Sequence, residues 1–167
     1  MTWDPLVIGI GSNIEPEHHI SGALQKLSAA GLDPQTSPVY RSAPVGLPEG
    51  AGDFLNLAVR IRAWDGTLDQ LLDLMGRIES AHGRTRIPGR WNSRTLDLDL
   101  LVAGHERDPE QRLPHPDLLR FSHVAVPVAD LIGSHQHPQR GRTYAEIAAD
   151  IGDHTLARVP NPWRELP

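Results

Sequence analysis

Two hydrophobic periods alternate along this chain, and their order leaves few folds open. Leu6-Val7-Ile8-Gly9-Ile10 is a short apolar run closed by Gly11-Ser12-Asn13, which reads as a buried strand and its turn. Pro16 suits a first helical position, and Ile20, Ala23, Leu24 and Leu27 follow at helical spacing as far as Gly31. Val39 and Tyr40 lie in a short strand-like stretch ending at Arg41, and Phe54 to Arg62 reads as a longer strand. Thr67 then caps a helix whose Leu68, Leu71, Leu72, Met75 and Ile78 make one apolar stripe, ending near Gly83. Thr95 to Val102 is the clearest strand of all, with polar and apolar residues alternating before a very apolar end.

The resulting order, β-α-β-β-α-β, predicts an α+β fold of ferredoxin-like type: a four-stranded antiparallel sheet with helices on one face. Short helices are expected over 123–132 and 143–151, a turn at Pro114-His115-Pro116, and an irregular tail over 152–167. There is no internal repeat and no linker, so residues 1–167 are read as one domain with its core over about 7–150. Two stretches are loops: the Pro- and Gly-rich 42–52, and the arginine-rich 84–94, which carries Pro88 and Gly89. A loop as long as the first, inside a compact domain, is usually either functional or mobile. The charge run Glu106-Arg107-Asp108 reads as a solvated loop.

Composition narrows the chemistry. With 39% hydrophobic and 22% charged residues the chain is expected to fold. It has no cysteine, which removes disulfide scaffolds, cysteine-ligated zinc and thiol nucleophiles together. No apolar run approaches the length of a membrane span, and residues 1–20 lack a signal-peptide core, so a soluble cytoplasmic protein is expected. The net charge of −5 argues against a broad nucleic-acid surface. Of the 16 basic residues 15 are arginine, Lys26 being the single lysine, and the P-loop pattern is absent. If a chain like this handles phosphates, it does so with arginine and metal.

Asp97 and Asp99 are the most informative pair. In Thr95-Leu96-Asp97-Leu98-Asp99-Leu100 the period of a strand puts both carboxylates on one face and Leu96, Leu98 and Leu100 on the other. The bland alternative is a solvated strand face, but the apolar continuation Leu100-Leu101-Val102 suggests a central strand. Two carboxylates about 7 Å apart on a covered strand repel unless a cation lies between them. Magnesium suits that arrangement, since it commonly takes one or two carboxylates plus substrate phosphates. Just upstream come four arginines in 11 residues, Arg84, Arg86, Arg90 and Arg94. Alone they would be a solvated basic loop; directly before the aspartates they supply the other half of a phosphate site. Trp91 could stack on a base or close the loop. Phe54 is either core or a stacking platform, Asn56 can read a heterocycle edge, and His115 is held rigidly between two prolines.

These residues resemble a known family. Gly11-Ser12-Asn13, Pro38-Val39-Tyr40-Arg41-Ser42, Phe54-Leu55-Asn56-Leu57-Ala58-Val59, Ile78-Glu79, Gly83-Arg84-Thr85-Arg86, Arg90-Trp91, Arg94-Thr95-Leu96-Asp97-Leu98-Asp99 and Pro114-His115-Pro116 are similar to the 6-hydroxymethyl-7,8-dihydropterin pyrophosphokinases of folate biosynthesis. The resemblance runs from about residue 7 to 150 and implies a ferredoxin-like fold, ATP with two magnesium ions, and pyrophosphate transfer to the pterin hydroxymethyl group with release of AMP. It implies that Asp97 and Asp99 hold the metals and that Arg84 and Arg94 stabilise the migrating phosphates. By the same resemblance Glu79, Arg86, Trp91, Arg94 and His115 bind ATP, while Ser42, Pro44, Val45, Phe54, Asn56 and His123 bind the pterin. The implied partners are these two small molecules, with neither nucleic acid nor membrane. A monomer able to associate with a neighbouring folate-pathway enzyme is expected.

Several positions depart from the family pattern. His123 stands where a second pterin-stacking phenylalanine is usual, and Phe121, next to Arg120, replaces a frequent arginine. Gly76 replaces a longer polar residue, and Asn92-Ser93 a frequent Gly-Pro. Two other readings stay open: a paralogue with the same metal–ATP core acting on a different heterocyclic alcohol, and a non-catalytic nucleotide-binding remnant. An RNA-binding module of the same fold class would need aromatic residues where Thr95–Val102 carries two aspartates.

Overall fold

The computed structural model describes residues 3–83, 95–152, 156–161 and 163. Strand β1 (Leu6–Ser12) leads into helix α1 (Pro16–Ala29), whose first residue is a proline that spends its missing N–H where a helix has no partner for one. The helix closes as Gly31 adopts φ 80° and the Leu32 N–H returns to the Leu27 carbonyl. Strands β2 (Pro34–Thr36), β3 (Val39–Ser42) and β4 (Phe54–Ile61) follow. Helix α2 (Leu68–Ala81) starts at Thr67 with a complete capping box, Thr67 accepting from the Gln70 N–H and Gln70 from the Thr67 N–H. Strand β5 (Asp97–Ala103), helices α3 (Ser122–Ile132) and α4 (Tyr144–Ile151), and strand β6 (Ala157–Val159) complete the order.

The sheet runs β5-β1-β4-β3-β6, with β2 also paired to β4, and every pairing is antiparallel. The expected α+β architecture is present with six strands rather than four. Strand β2 has no alternation of its own; it exists because β4 is long enough to pair with it beyond β3. Ser37 carries the pairing between the two, its N–H donating to the Ala58 carbonyl and its hydroxyl accepting from the Ala58 N–H, both at 2.9 Å. Pro38, with no N–H to offer, separates β2 from β3. The tail over 152–167 was expected to be irregular, yet Ala157–Val159 pairs with β3 and Trp163 is buried in the core. Three residues without alternation give no periodic signal; the unpaired edge of β3 makes them a strand.

Helices also cover both faces of the sheet rather than one. On the first face Leu6, Ile8 and Ile10, Leu55, Leu57, Val59 and Ile61, and Leu98 and Leu100 pack against Ile20 and Leu27 of α1 and Leu71, Met75 and Ile78 of α2. Each such buried side chain contributes about 2 kcal/mol. On the second face Val7, Ala58, Leu101 and Val102 meet Leu118, Val128, Ile132 and Tyr144, so α3 and α4 are its cover. A bulge helps: the β1–β5 register shifts between Val7, opposite Val102, and Ile8, opposite Leu100. Leu101 is the extra residue, and it packs on the same face as Val102. This helical cover stops part-way along the strands. Past it, Gly9 and Gly11, Phe54 and Asn56, and Asp97 and Asp99 line a cavity.

Candidate active site

The cavity has a volume of about 350 Å³. Its floor is β1, where Gly9 pairs with Ala58 and Asp99, and Gly11 with Asn56 and Asp97. Both glycines are needed for space. A Cβ on Gly9 would stand 3.1 Å from Leu101 Cδ1, and one on Gly11 would stand 3.3 Å from Asn56 Oδ1. The two aspartates therefore flank bare backbone, on the face their spacing predicts, with Leu96, Leu98 and Leu100 in the core behind.

His115 reaches the same cavity because its turn is fastened to β5: its N–H donates to the Leu101 carbonyl at 2.9 Å. Its Nδ1 accepts from the Asp117 N–H at 3.2 Å, capping the 3-10 helix Pro116–Leu119, so the ring proton belongs on Nε2. Burial holds the imidazole below its ordinary pKa, against the opposing charge of Asp117. Asn56 is buried, and its Nδ2 donates to Ser42 Oγ at 2.8 Å. Tyr40, paired with Asn56 across the strands, donates from its hydroxyl to Asp130 at 2.6 Å and so ties β3 to α3. His123, in the first turn of α3, lines the cavity with its ring stacked on Phe121, centroids 5.3 Å apart and planes 24° from parallel. The Arg120 guanidinium lies 5.1 Å from the centre of the same Phe121 ring.

Six of the residues singled out in the sequence, Phe54, Asn56, Asp97, Asp99, His115 and His123, thus come together, with Ser42 and Val45 at the rim. Pro44 does not line the cavity, although its neighbours Ala43 and Val45 do. Glu79 is buried outside it, its carboxylate accepting from the Leu98 N–H at 2.8 Å, between the two aspartates on β5. Arg84, Arg86, Arg90, Trp91 and Arg94 lie outside the described residues. Sequence reasoning passed over Gly9, Arg112 and Asp117, all of which line the cavity. Arg112 carries a signal only in three dimensions, a left-handed backbone at φ 56° that a non-glycine residue rarely adopts.

Among the described residues no three His, Cys, Asp or Glu side chains converge as a ready-made metal cage. The donor set that does exist, two carboxylates beside open cavity, fits a hard divalent cation completed by phosphate oxygens and water. No helix of the described residues is long and apolar enough to cross a membrane.

The family model for 7,8-dihydro-6-hydroxymethylpterin-pyrophosphokinase (HPPK) matches residues 7–133. The chain belongs to the HPPK family. It is 34% identical over 161 residues to the 2-amino-4-hydroxy-6-hydroxymethyldihydropteridine pyrophosphokinase of Haemophilus influenzae, covering 93% of this chain and 97% of that one. The enzyme of the same name from Pseudomonas aeruginosa is also 34% identical over 161 residues, with 92% and 95% covered. A crystal structure of a Plasmodium falciparum HPPK-DHPS triple mutant matches with a TM-score of 0.69 over 92% of this chain and 46% of that chain. At 10% identity that likeness shows the fold alone. This HPPK-family chain is an enzyme, an ATP-using transferase of folate biosynthesis that passes pyrophosphate to hydroxymethyldihydropterin. Neither the paralogue nor the remnant reading finds support in these likenesses.

Proposed function

We propose that the cavity over β1 and β5 is where this transfer takes place, with the nucleotide phosphates on the aspartate side and the pterin between β4 and α3. What supports this is the lining of a single cavity by Asp97, Asp99, Phe54, Asn56, His115 and His123. Two magnesium ions on Asp97 and Asp99, bound with ATP, would supply neutralisation of the polyphosphate charge. His115 is suited to donate from Nε2 to a phosphate oxygen, because its Nδ1 is already engaged by Asp117. Arg84 and Arg94 would hold charge on the migrating group, and Arg86 and Trp91 the nucleotide; their place in the sequence, just before β5, supports this. Glu79 serves from behind by fixing the Leu98 N–H and with it the strand that carries both aspartates.

On the other side Phe54 and His123 offer ring faces, and Asn56, oriented by Ser42, offers an amide edge to the heterocycle. Ala43 and Val45, on either side of Pro44, complete that wall. The pterin hydroxyl oxygen then bonds to the β-phosphorus while the bond to the oxygen shared with the α-phosphate breaks. AMP leaves with that oxygen and the hydroxyl proton passes to water. The chain's contribution is positioning and charge stabilisation. In this reading residues 1–167 form a single domain, a monomer working in the cytoplasm. Association with a neighbouring folate-pathway enzyme is in keeping with the HPPK-DHPS chains of similar fold.

The test is AMP release from magnesium and ATP, with and without 6-hydroxymethyl-7,8-dihydropterin. Pterin-dependent AMP with no ADP is expected. ATP binding without pterin-dependent AMP overturns the assignment.

A further inference from the structure

We propose that His82 is a positioning residue for magnesium–nucleotide binding: it pins the last turn of α2 to α1, so that Glu79 in that turn holds the strand carrying Asp97 and Asp99. The proposal rests on the assignment of the two aspartates to magnesium and ATP, and adds what keeps them in place.

The contacts connect end to end. Strand β5 ends the sheet, and the N–H of Leu98, between the two aspartates, is taken by the buried carboxylate of Glu79 at 2.8 Å. The turn that carries Glu79 ends on His82, whose N–H donates to the carbonyls of Ile78 and Glu79 at 3.3 and 3.1 Å. Last turns fray unless something holds them, and α2 has no basic residue in its own last turn. The hold comes from α1. The His82 ring is buried against that helix at Gly22, with its Nδ1 2.8 Å from His19 Nδ1 and its Nε2 3.3 Å from Lys26 Nζ. Helix α1 is itself anchored in the core by Ile20, Ala23 and Leu27.

The clasp works only with neutral rings. The Lys26 ammonium donates to His82, so His82 carries its proton on Nδ1 and donates it to His19. One added proton on either ring leaves His82 with an N–H at Nε2, facing the ammonium, and the Lys26 link is lost. A second sets two N–H groups against each other between the rings. The charged and titratable groups around the pair are Glu15, His18 and Lys26 from α1, and Glu79 from α2, whose carboxylate is turned to β5. Burial first, then Lys26, His19 and His18, hold His82 below its ordinary pKa. Burial and His18 do the same for His19, with Glu15 opposing. Acid therefore releases the end of α2.

Amide hydrogen exchange and calorimetry give the test, on the wild type, His82→Ala and His82→Gln. Glutamine supplies a donor and an acceptor, as the neutral imidazole does, and cannot titrate. Without ligand and near neutral pH, His82→Ala should speed exchange at Leu98 about fivefold more than at Ala58, whose N–H donates to Ser37 far from α2. Near pH 8 it should bind magnesium with a non-hydrolysable ATP analogue about fivefold more weakly than wild type, while His82→Gln stays within about twofold. Near pH 5.5 His82→Gln should bind about threefold more tightly than wild type. Protonation of the nucleotide is common to both proteins and cancels in that comparison. Equal acceleration at Leu98 and Ala58 makes His82 a general stabiliser and overturns the proposal, as does unchanged affinity in His82→Ala. Equal binding of the magnesium–analogue complex by wild type and Asp99→Asn overturns the assignment of the aspartates, and this proposal with it.

Discussion

Each residue on the cavity face of the sheet is constrained by its cross-strand neighbour as much as by any ligand. Gly11 stands beside Asn56, and a methyl group there would press on the amide oxygen at 3.3 Å. Gly11→Ala should therefore raise KM for the pterin about fivefold with little change in Tm, read from steady-state kinetics beside a melting curve. Asp99 stands opposite Gly9 on β1 and lines the cavity. Asp99→Asn keeps the shape and removes the charge. Its turnover should fall at least about a hundredfold with the melting temperature within a few degrees, and normal turnover would dispose of the metal role. The aspartate pair was legible in the sequence because two carboxylates at strand spacing leave no choice of face. The glycines opposite them were not, since a glycine in a strand adds nothing to a hydropathy pattern. Glu79 shows the converse. The family resemblance alone implied that it binds ATP, while its carboxylate accepts from the backbone of β5.

Helices α1 and α2 carry one glycine each whose replacement by alanine should act in opposite directions. At Gly76 in α2 a Cβ meets nothing within 4 Å, so Gly76→Ala should gain helix propensity, about 0.5–1 kcal/mol, and raise Tm by about 2 °C. At Gly22 in α1 a Cβ would fall 2.5 Å from Cε1 of His82. That ring cannot easily retreat. Lys26 Nζ lies 3.3 Å from His82 Nε2, and His82 Nδ1 lies 2.8 Å from His19 Nδ1. Since an ammonium only donates, the proton order is fixed: Lys26 to His82, then His82 to His19. Gly22→Ala should thus destabilise by about 1–2 kcal/mol despite its better helix propensity, and urea unfolding of the two variants checks both signs. Elements with a period, such as β5 and α2, were legible from the sequence. Strands β2 and β6 were not, because each is three residues long and is made a strand by its partner. The second-face helices α3 and α4 were visible as helices, but their side of the sheet is decided by Val7, Ala58, Leu101 and Val102 together.

For the molecule as a whole, acid should be the weak direction. His19, His82, His115, His123 and His137 are all held below the ordinary histidine pKa, burial being the first cause in each case. The unfolded chain then takes up protons near pH 6.5 before the folded one does, so stability is full above that pH and is lost as pH falls toward the lowered values. Tm should be level from about pH 7 to 8 and decline below about 6.5; a flat profile to pH 5 would contradict it. The C-terminal segment should matter equally. Trp163 is 7% exposed and β6 closes the edge of β3, so Trp163→Ala should cost about 3 kcal/mol by urea titration.

Where the cavity lies, the sheet has the larger hydrophobic core on one side and its chemistry on the other, and successive side chains in β1, β4 and β5 go to opposite sides. A saturation scan scored separately for cellular abundance and for growth without folate should therefore flicker along each strand. Ile8, Ile10, Leu55, Leu57, Leu98 and Leu100 will lose both scores together. Gly9, Gly11, Asn56, Asp97 and Asp99, interleaved with them, will lose growth while the protein stays abundant. A lineage can consequently retune one column of residues for temperature without disturbing the column that meets the substrates.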